Sequence, residues 1–460
     1  MTDVAAPPPS GPPPSDPPKR PIRPRRTLFP PDSLLTRATI IGIITLVLLL
    51  PLQLINGLVD DRQRYEADAI DSVTASWGRQ QTFEGVAIVL PYRQKWTAGP
   101  GDIRELEGSL MLLPEKLDLA AQLSPEVRRR GLFDVTLYAT TLDVVAEFAL
   151  KPLKEHRADG RTMNWAAIAL GLGLSDVRTI RGGTVEIDGR PLDWLPRSGN
   201  GPFSQLEIPL DFADLPQRET ITVRFRLSLT GSDSLSFLPT GAHTEATVTS
   251  PWPSPSFIGR YLPSEQRVSA EGFRAHWSVP FLARGYGQLW DSERKSEPSP
   301  AMVQKTAFGV RLLSPVGPYR ETDRALKYGI LFIGLTFAVC LMLELATGVR
   351  PHYAQYGLIG LALCIFYLLL LSLSERIGFG LAYLLSASAV AAQAAAYNWA
   401  VHRSRLIGLA FAGLLAALYG TLYGLLQLED AALLSGSILL FVVLSIAMWL
   451  TRNLGRRVPA

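Results

Sequence analysis

Six long runs with little or no charge constrain this chain more than any other feature of its sequence. They cover residues 38–59, 328–346, 353–374, 377–398, 406–428 and 431–451. An α-helix rises about 1.5 Å per residue, so each run is long enough to cross the roughly 30 Å hydrocarbon core of a bilayer. The sequence therefore predicts an α-helical membrane protein with six spans: one near the N-terminus and a five-helix bundle at 326–452.

The first run predicts a retained anchor over residues 37–59. It is longer and begins further from the N-terminus than the apolar part of a signal peptide, and charged residues follow it instead of a cleavage site. Residues 1–36 before it are proline-rich and basic, with little apolar surface to bury, which predicts a disordered tail. Two interpretations of this tail remain open, a solvated segment and a ligand for a proline-recognising partner.

Between the first two runs the hydrophobic period changes to two residues, after an amphipathic helix that we predict at 60–79. In residues 221–229, apolar side chains alternate with Thr, Arg and Ser, as in a strand with one buried face. Asp188-Gly189 separates two short β-prone runs, which is typical of a hairpin turn. Many such runs with turn residues between them predict a large all-β domain, antiparallel and sandwich-like, within residues 60–325.

The loop charges predict the orientation of the spans, because cytoplasmic loops of membrane proteins are enriched in lysine and arginine. Basic residues precede the anchor, and alternate later loops carry Arg350, Arg403, Arg405, Arg452, Arg456 and Arg457. The intervening loops carry Glu375-Arg376 and Glu429-Asp430. We therefore expect a bacterial inner-membrane protein with the tails 1–36 and 453–460 in the cytoplasm. The β domain would then be periplasmic, inserted between spans 1 and 2.

Neither the charge nor the motifs of the chain indicate an enzyme or a nucleic-acid-binding protein. The net charge of +4 comes with basic residues that flank apolar runs, so the bilayer is the expected partner and nucleic acid is not. Phosphate-loop, nucleophile-elbow and zinc-protease motifs are missing from the sequence, and its five histidines do not stand at metal-ligand spacing. We predict no catalytic, cofactor-binding or metal-ligating residues and no cofactor.

Two polar residues inside predicted spans are candidate functional residues. Charge within hydrocarbon is costly, so an acid such as Glu344 indicates function by default. It also lies six residues before Arg350, near the end of its run, where contact with the interface is the simpler explanation. Gln393 lies in an alanine-rich run, where it could make one interhelical hydrogen bond or line a pathway.

A second group of candidates lies where the β domain meets the bundle. Spans 2 and 3 should have neighbouring ends on the periplasmic side, and the charged residues there are Asp323, Arg324, Lys327, Glu375 and Arg376. These charges could fix the domain onto the bundle. The alternative is that they are ordinary solvated charges at the membrane interface.

Three stretches resemble the CreD family of Gram-negative inner-membrane proteins. They read SPWPSPSFIGRYLPSEQRVSAEGFRAHW, TDRALKYGILFIGLTF and QYGLIGLALCIFYLLLLSLSERIGF. The resemblance covers residues 38–455 and leaves out the proline-rich tail. It implies a role in cell-envelope integrity, in an envelope or nutrient stress response and in tolerance of colicins and β-lactams. It implies no catalytic residues.

Three mechanisms are compatible with these features. The β domain could bind another envelope component, either a protein or a polymer; the bundle could act as a permease or handle lipid; or the β domain could act on an envelope polymer. The spans contain few polar residues and the chain lacks catalytic motifs. The first mechanism is therefore favoured.

Overall fold

The computed structural model describes residues 34–99, 102–155, 161–196, 203, 206–212, 214–293, 298–313, 317–347, 351–427 and six single positions between 434 and 448. The predicted tails 1–36 (up to residue 33) and 453–460 lie outside these residues, as does most of the run 431–451. The chain forms two compact units: a β unit, Leu58–Glu321, and a helical unit made of the residues before and after it.

The helices are α1 Leu34–Val47, α2 Leu49–Trp77, α3 Lys151–Glu155, α4 Phe281–Arg284, α5 Pro300–Gln304, α6 Pro318–Lys327, α7 Gly329–Thr347, α8 Tyr353–Ile377, α9 Phe379–His402 and α10 Arg405–Gln427. The strands are β1 Gln81–Gly99, β2 Asp102–Leu112, β3 Lys116–Arg130, β4 Phe133–Ala149, β5 Arg161–Met163, β6 Ala169–Leu174, β7 Ile180–Ile187, β8 Arg190–Leu192, β9 Leu195–Pro196, β10 Leu206–Pro209, β11 Thr220–Ser232, β12 Ser234–Phe237, β13 His243–Ser250, β14 Pro255–Gly259, β15 Glu265–Ser269, β16 Gly272–Pro280, β17 Leu289–Asp291 and β18 Phe308–Leu312.

The helical unit contains the elements that can cross a membrane. In the described part of the chain, α8, α9, α10 and the continuous stretch Thr36–Trp77 are long and apolar enough to do so. A fifth candidate is the pair α6 and α7, which meet at a bend of 46°. Sequential contacts join α8 to α9 and α9 to α10, while α1 packs on α7 and α8. The described residues therefore agree with the prediction of a helical membrane protein. Most of the sixth predicted span, 431–451, lies outside these residues and is not tested.

The first run is interrupted at Leu48, where α1 ends and α2 begins. Pro51 explains the break, because a proline ring clashes with the carbonyl four residues earlier, here that of Val47. Beyond the interruption α2 continues without a break to Trp77, and the amphipathic segment predicted at 60–79 is the second half of this helix.

The β unit consists of two large sheets. One has ten strands, with β14-β18-β12-β1-β6-β10-β9 as its main order and β2, β5 and β17 attached at β1 and β2. The other has eight strands in the order β15-β16-β13-β3-β4-β11-β7-β8. Phe83 of the first lies 6.2 Å from Phe225 of the second, and Trp277 of the second lies 5.8 Å from Phe308 of the first, measured between ring centroids. The sheets thus pack face to face around one apolar core, as the alternating pattern predicted.

Local sequence signals agree with the structure where they depend on neighbouring residues. The alternation at 221–229 corresponds to β11, in which alternate side chains are buried. Asp188 and Gly189 both have positive φ angles, 49° and 78°, and they connect β7 to β8 as a hairpin. The prediction of purely antiparallel pairing needs a correction, because β1 pairs in parallel with β12 and β3 pairs in parallel with β13. Parallel pairs need long connections, which a local pattern does not reveal.

The C-terminal end of α2 is fixed to the eight-stranded sheet by Trp77. Its indole N–H donates to the Tyr138 carbonyl at 3.3 Å, and the Thr230 hydroxyl donates to the Trp77 carbonyl at 2.6 Å. The Arg128 guanidinium lies over the indole, 4.0 Å from the ring centroid. Gly78 follows with φ of 135°, a conformation that permits the helix to end abruptly there.

A buried ion pair lies at the edge of the β core. Asp291 accepts a hydrogen bond from the Tyr92 hydroxyl at 2.7 Å and pairs with Arg161 at 2.8 Å, with both charged side chains about 5–6% exposed. Burial alone would raise the pKa of Asp291, but the Tyr92 hydroxyl, the Glu293 amide and Arg161 outweigh it and lower the pKa below its usual value. The ionised carboxylate is therefore the form that stabilises the fold.

We expect Asp291→Asn to destabilise the β unit by about 3 kcal/mol at neutral pH, because Arg161 then remains buried without a counter-charge. A lowered pKa in the folded state contributes stability above the unfolded-state pKa, and this contribution is lost as the pH falls through the folded-state value. The difference between variant and wild type should therefore shrink in acid. Amide hydrogen exchange of the β unit in the full-length protein measures it.

Asp143→Asn is the matched control. Asp143 pairs with Arg226 on an open surface, with the two side chains 45% and 66% exposed, so solvent screens the pair and its removal should cost much less than the loss of Asp291. Equal losses for the two variants, or a loss in Asp291→Asn that did not vary with pH, would contradict the assignment.

Candidate functional site

Glu344 is the centre of a polar cluster inside the helical unit. It lies on α7, is 5% exposed and forms an ion pair with Arg37 of α1. Its second carboxylate oxygen accepts a hydrogen bond from the Tyr356 hydroxyl of α8 at 3.1 Å. Two consecutive helices, α7 and α8, therefore meet the distant helix α1 at one carboxylate.

Arg37 has a second contact, with an aromatic ring. Its guanidinium carbon lies 5.6 Å from the ring centroid of Tyr353, at the start of α8. No local pattern indicated this arginine as a partner, because 307 residues separate it from Glu344 and it stands just before the first apolar run. Arg350, the basic residue that follows Glu344 by six positions in the sequence, lies outside the described residues. In the structure Glu344 is buried and paired with α1.

A small cavity lies beside this cluster. Its lining includes Cys340, Tyr356, Asn398 and His402, and its volume is about 20 Å³, enough for a single water molecule. Within the described part of the chain, Nδ1 of His402 is buried and has no hydrogen-bond partner. The ion pair and the Tyr356 hydrogen bond therefore join α1, α7 and α8, and the cavity beside them is too small for a solute larger than water.

Gln393 lies apart from this cluster. It is exposed on α9, and no other described residue forms a hydrogen bond with its amide. Between α9 and α10 is an apolar groove of about 420 Å³, lined in part by Tyr383, Tyr419, Gly420 and Tyr423. Glu344 and Gln393, both candidate intramembrane residues, thus have different surroundings.

The five predicted junction residues lie at the ends of two helices. Asp323 and Lys327 pair with each other at 2.8 Å, one turn apart on α6. Glu375 and Arg376 lie in the last turn of α8, where Arg376 is exposed. Arg324 and Glu375 each have an interaction partner. The link between these charges and the β domain stays a prediction.

The β unit has a large exposed surface that the sequence did not single out. One face of the eight-stranded sheet packs on the core, and most of the opposite face, here called the open face, is exposed; α2 lies against one end of it, where Arg128 of β3 stacks on Trp77. Its exposed side chains include Gln122, Thr184, Arg224, Ser228, Glu245, Arg267, Arg274 and Arg226, of which Arg226 pairs with Asp143. No group of three or more acidic, histidine or cysteine side chains among the described residues could hold a metal ion. The open face is thus a polar surface suited to binding.

Comparison with known proteins gives a consistent result. A family model described as "Inner membrane protein CreD" matches residues 33–455. The inner membrane protein CreD of Escherichia coli (strain K12) is 34% identical over 416 residues, which cover 89% of this chain and 90% of that protein. A solved structure of native yeast LTA4 hydrolase aligns over 49% of this chain and 35% of its own, at 12% identity and a TM-score of 0.21, which is too low to show a shared fold.

We expect Glu344→Gln to destabilise the helical unit by about 3 kcal/mol, because the Arg37 guanidinium would remain buried without its counter-charge. The double variant Arg37→Met/Glu344→Met should recover much of the loss, since it removes both charges. The midpoint of thermal unfolding in detergent measures these changes.

Gln393→Leu is the control, because this exposed side chain has no described partner and should change the midpoint little. If Glu344→Gln unfolded at the same temperature as Gln393→Leu, the ion pair would not hold α1 in the bundle.

Proposed function

This chain belongs to the CreD family of inner-membrane proteins, and we propose that it supports cell-envelope integrity by binding another envelope component through its β domain. It is a multi-pass inner-membrane protein, and its resemblance to the family supports a role in envelope stress and in tolerance of colicins and β-lactams. Binding, with no chemical step, is the mechanism we propose.

The proposed topology has six spans, with both termini in the cytoplasm and the β domain in the periplasm. The loop charges support it, since Arg403 and Arg405 follow α9 on the side assigned to the cytoplasm and Glu375 ends α8 on the other. The β unit also supports it, because all its strands come from the contiguous segment between α2 and α6.

The open face is the observation that carries the binding role. A sheet of eight strands with one largely exposed polar face offers a broad, rigid surface on which side-chain positions are fixed by the pairing register. Scattered surface charges need no explanation beyond solvation. A polar face this wide, most of which the loops and short helices of the unit leave exposed, is better explained by binding.

A permease or lipid-handling role is the second candidate. The pair of Arg37 and Glu344 inside the helical unit favours it, because charged groups in spans often belong to transport pathways. The water-sized cavity beside the pair favours the binding role instead. The variant Arg37→Met/Glu344→Met discriminates between them: it should complement a deletion strain if the pair is structural and fail, although folded, if the pair transports.

We expect a periplasm-active reporter fused after residue 200 to be active and a cytoplasm-active reporter fused there to be silent. Fusions after residue 403 should give the reverse. The opposite pattern at residue 200 would overturn the periplasmic assignment and, with it, binding to a periplasmic component.

Photocrosslinking residues placed at Ser228 and Glu245, on the open face, should capture an envelope component in intact cells. The exposed position Glu105, on β2 of the other sheet, is the matched control and should capture much less. Equal capture at all three positions, or bound lipid recovered with no captured component, would contradict the proposal. A deletion strain scored for envelope stress links the capture to function.

A further inference from the structure

One end of the open face carries a groove lined by two arginines and several hydroxyl groups. Its volume is about 610 Å³, within the range of small-molecule sites, and it is open to solvent along one side. It lies across β15, β16, β13 and β3, and its polar lining includes Gln122, Ser124, Thr249, Arg267, Glu271 and Arg274.

The two arginines are directly opposite each other. Arg267 of β15 and Arg274 of β16 are register partners in an antiparallel pair, so both side chains lie on the same face at adjacent positions. Like charges in this arrangement destabilise a sheet. Neither guanidinium has a carboxylate within ion-pair distance among the described residues. A bound anion would remove this repulsion and accept hydrogen bonds from both groups.

The same row of the sheet continues with neutral polar groups. Arg274 is the register partner of Thr249, and Thr249 is the partner of Gln122. The side chains of Gln122, Thr249 and the neighbouring Ser124 make no hydrogen bonds to other described residues, so their donors and acceptors are available. Such groups fit the hydroxyls of a sugar, while a bare inorganic anion would leave them unused.

Glu271 disfavours a purely anionic ligand in the groove. It lies in the two-residue turn between β15 and β16 and lines the groove beside the arginines. A carboxylate repels phosphate but accepts hydrogen bonds from hydroxyl groups. Among the apolar lining residues, Leu123 and Phe273 are buried in the core and Pro251 is exposed, so the groove offers an acyl chain little apolar side-chain surface.

We propose that this groove binds a sugar phosphate unit of an anionic envelope glycan. The phosphate lies between Arg267 and Arg274, and the sugar hydroxyls contact Gln122, Thr249 and Glu271. This inference rests on the proposed binding role of the open face and names the chemistry of its ligand.

The test uses the full-length protein in nanodiscs of neutral lipid, with N-acetylglucosamine 1-phosphate as the probe and isothermal titration calorimetry as the measurement. The probe should bind, more weakly at high salt, while N-acetylglucosamine should not bind measurably. The variant Arg267→Gln/Arg274→Gln should weaken binding at least about tenfold, because it removes charge-assisted hydrogen bonds to the phosphate. Glu271→Gln should reduce the preference for the sugar phosphate over inorganic phosphate.

Arg224→Gln is the matched control. Arg224 is exposed on the same face, on β11, and its replacement removes one positive charge away from the groove. It should change the dissociation constant less than about twofold. The single variants Arg267→Gln and Arg274→Gln should each change the dissociation constant by more than Arg224→Gln does. An equal loss in Arg224→Gln, preference for inorganic phosphate or for vesicles containing phosphatidylglycerol, or no binding by the wild type would each overturn the glycan assignment.

The ligand assignment and the binding role fail in different ways. If crosslinking from Ser228 and Glu245 captures an envelope component but the sugar phosphate does not bind, the ligand is wrong and the binding role stands. If the sugar phosphate binds but capture fails and the groove variants still complement a deletion strain, the groove is a real anion site that does not serve the proposed function.

Discussion

Hydrocarbon offers no hydrogen-bond partner to a peptide group, and the division of this chain into two kinds of structure depends on that constraint. The apolar runs form helices, in which each backbone group is satisfied within its own segment. The segment between α2 and α6 has alternating polarity and satisfies its backbone between strands. The same constraint makes an acid within the helical unit costly, and Glu344 has both Arg37 and Tyr356 as partners.

An ion pair of this kind contributes more to specificity than to net stability, because desolvation of two charges offsets much of their attraction. Apolar helix faces are nearly interchangeable in lipid, whereas a carboxylate and a guanidinium must meet at one position. The pair therefore selects one register for α1 against α7 and α8. This role explains why a bundle with so few polar groups keeps two that are charged.

Sequence patterns identified the features that depend on neighbouring residues and missed those that depend on distant ones. The apolar runs, the alternation in β11 and the turn at Asp188-Gly189 were all evident locally. The partner of Glu344 was not, because Arg37 is 307 residues away. The opposition of Arg267 and Arg274 needed the register of β15 on β16, and the open face needed the order of eight strands. Gln393 drew attention as a polar residue in a span, but its exposure could be learned only from packing.

The parallel pairing of β1 with β12 has a consequence for the order in which the molecule is built. Gln81 pairs with Leu235, so β1, the first strand of the β unit, waits for most of the β segment to be synthesised before it gains this neighbour. Contacts so distant along the chain form slowly, and unpaired strand edges are prone to aggregate meanwhile. The eight-stranded sheet meets the same delay where β3 awaits β13. Biogenesis of this protein should accordingly depend on holdase chaperones on the side where the β domain folds, more than that of a membrane protein with short loops.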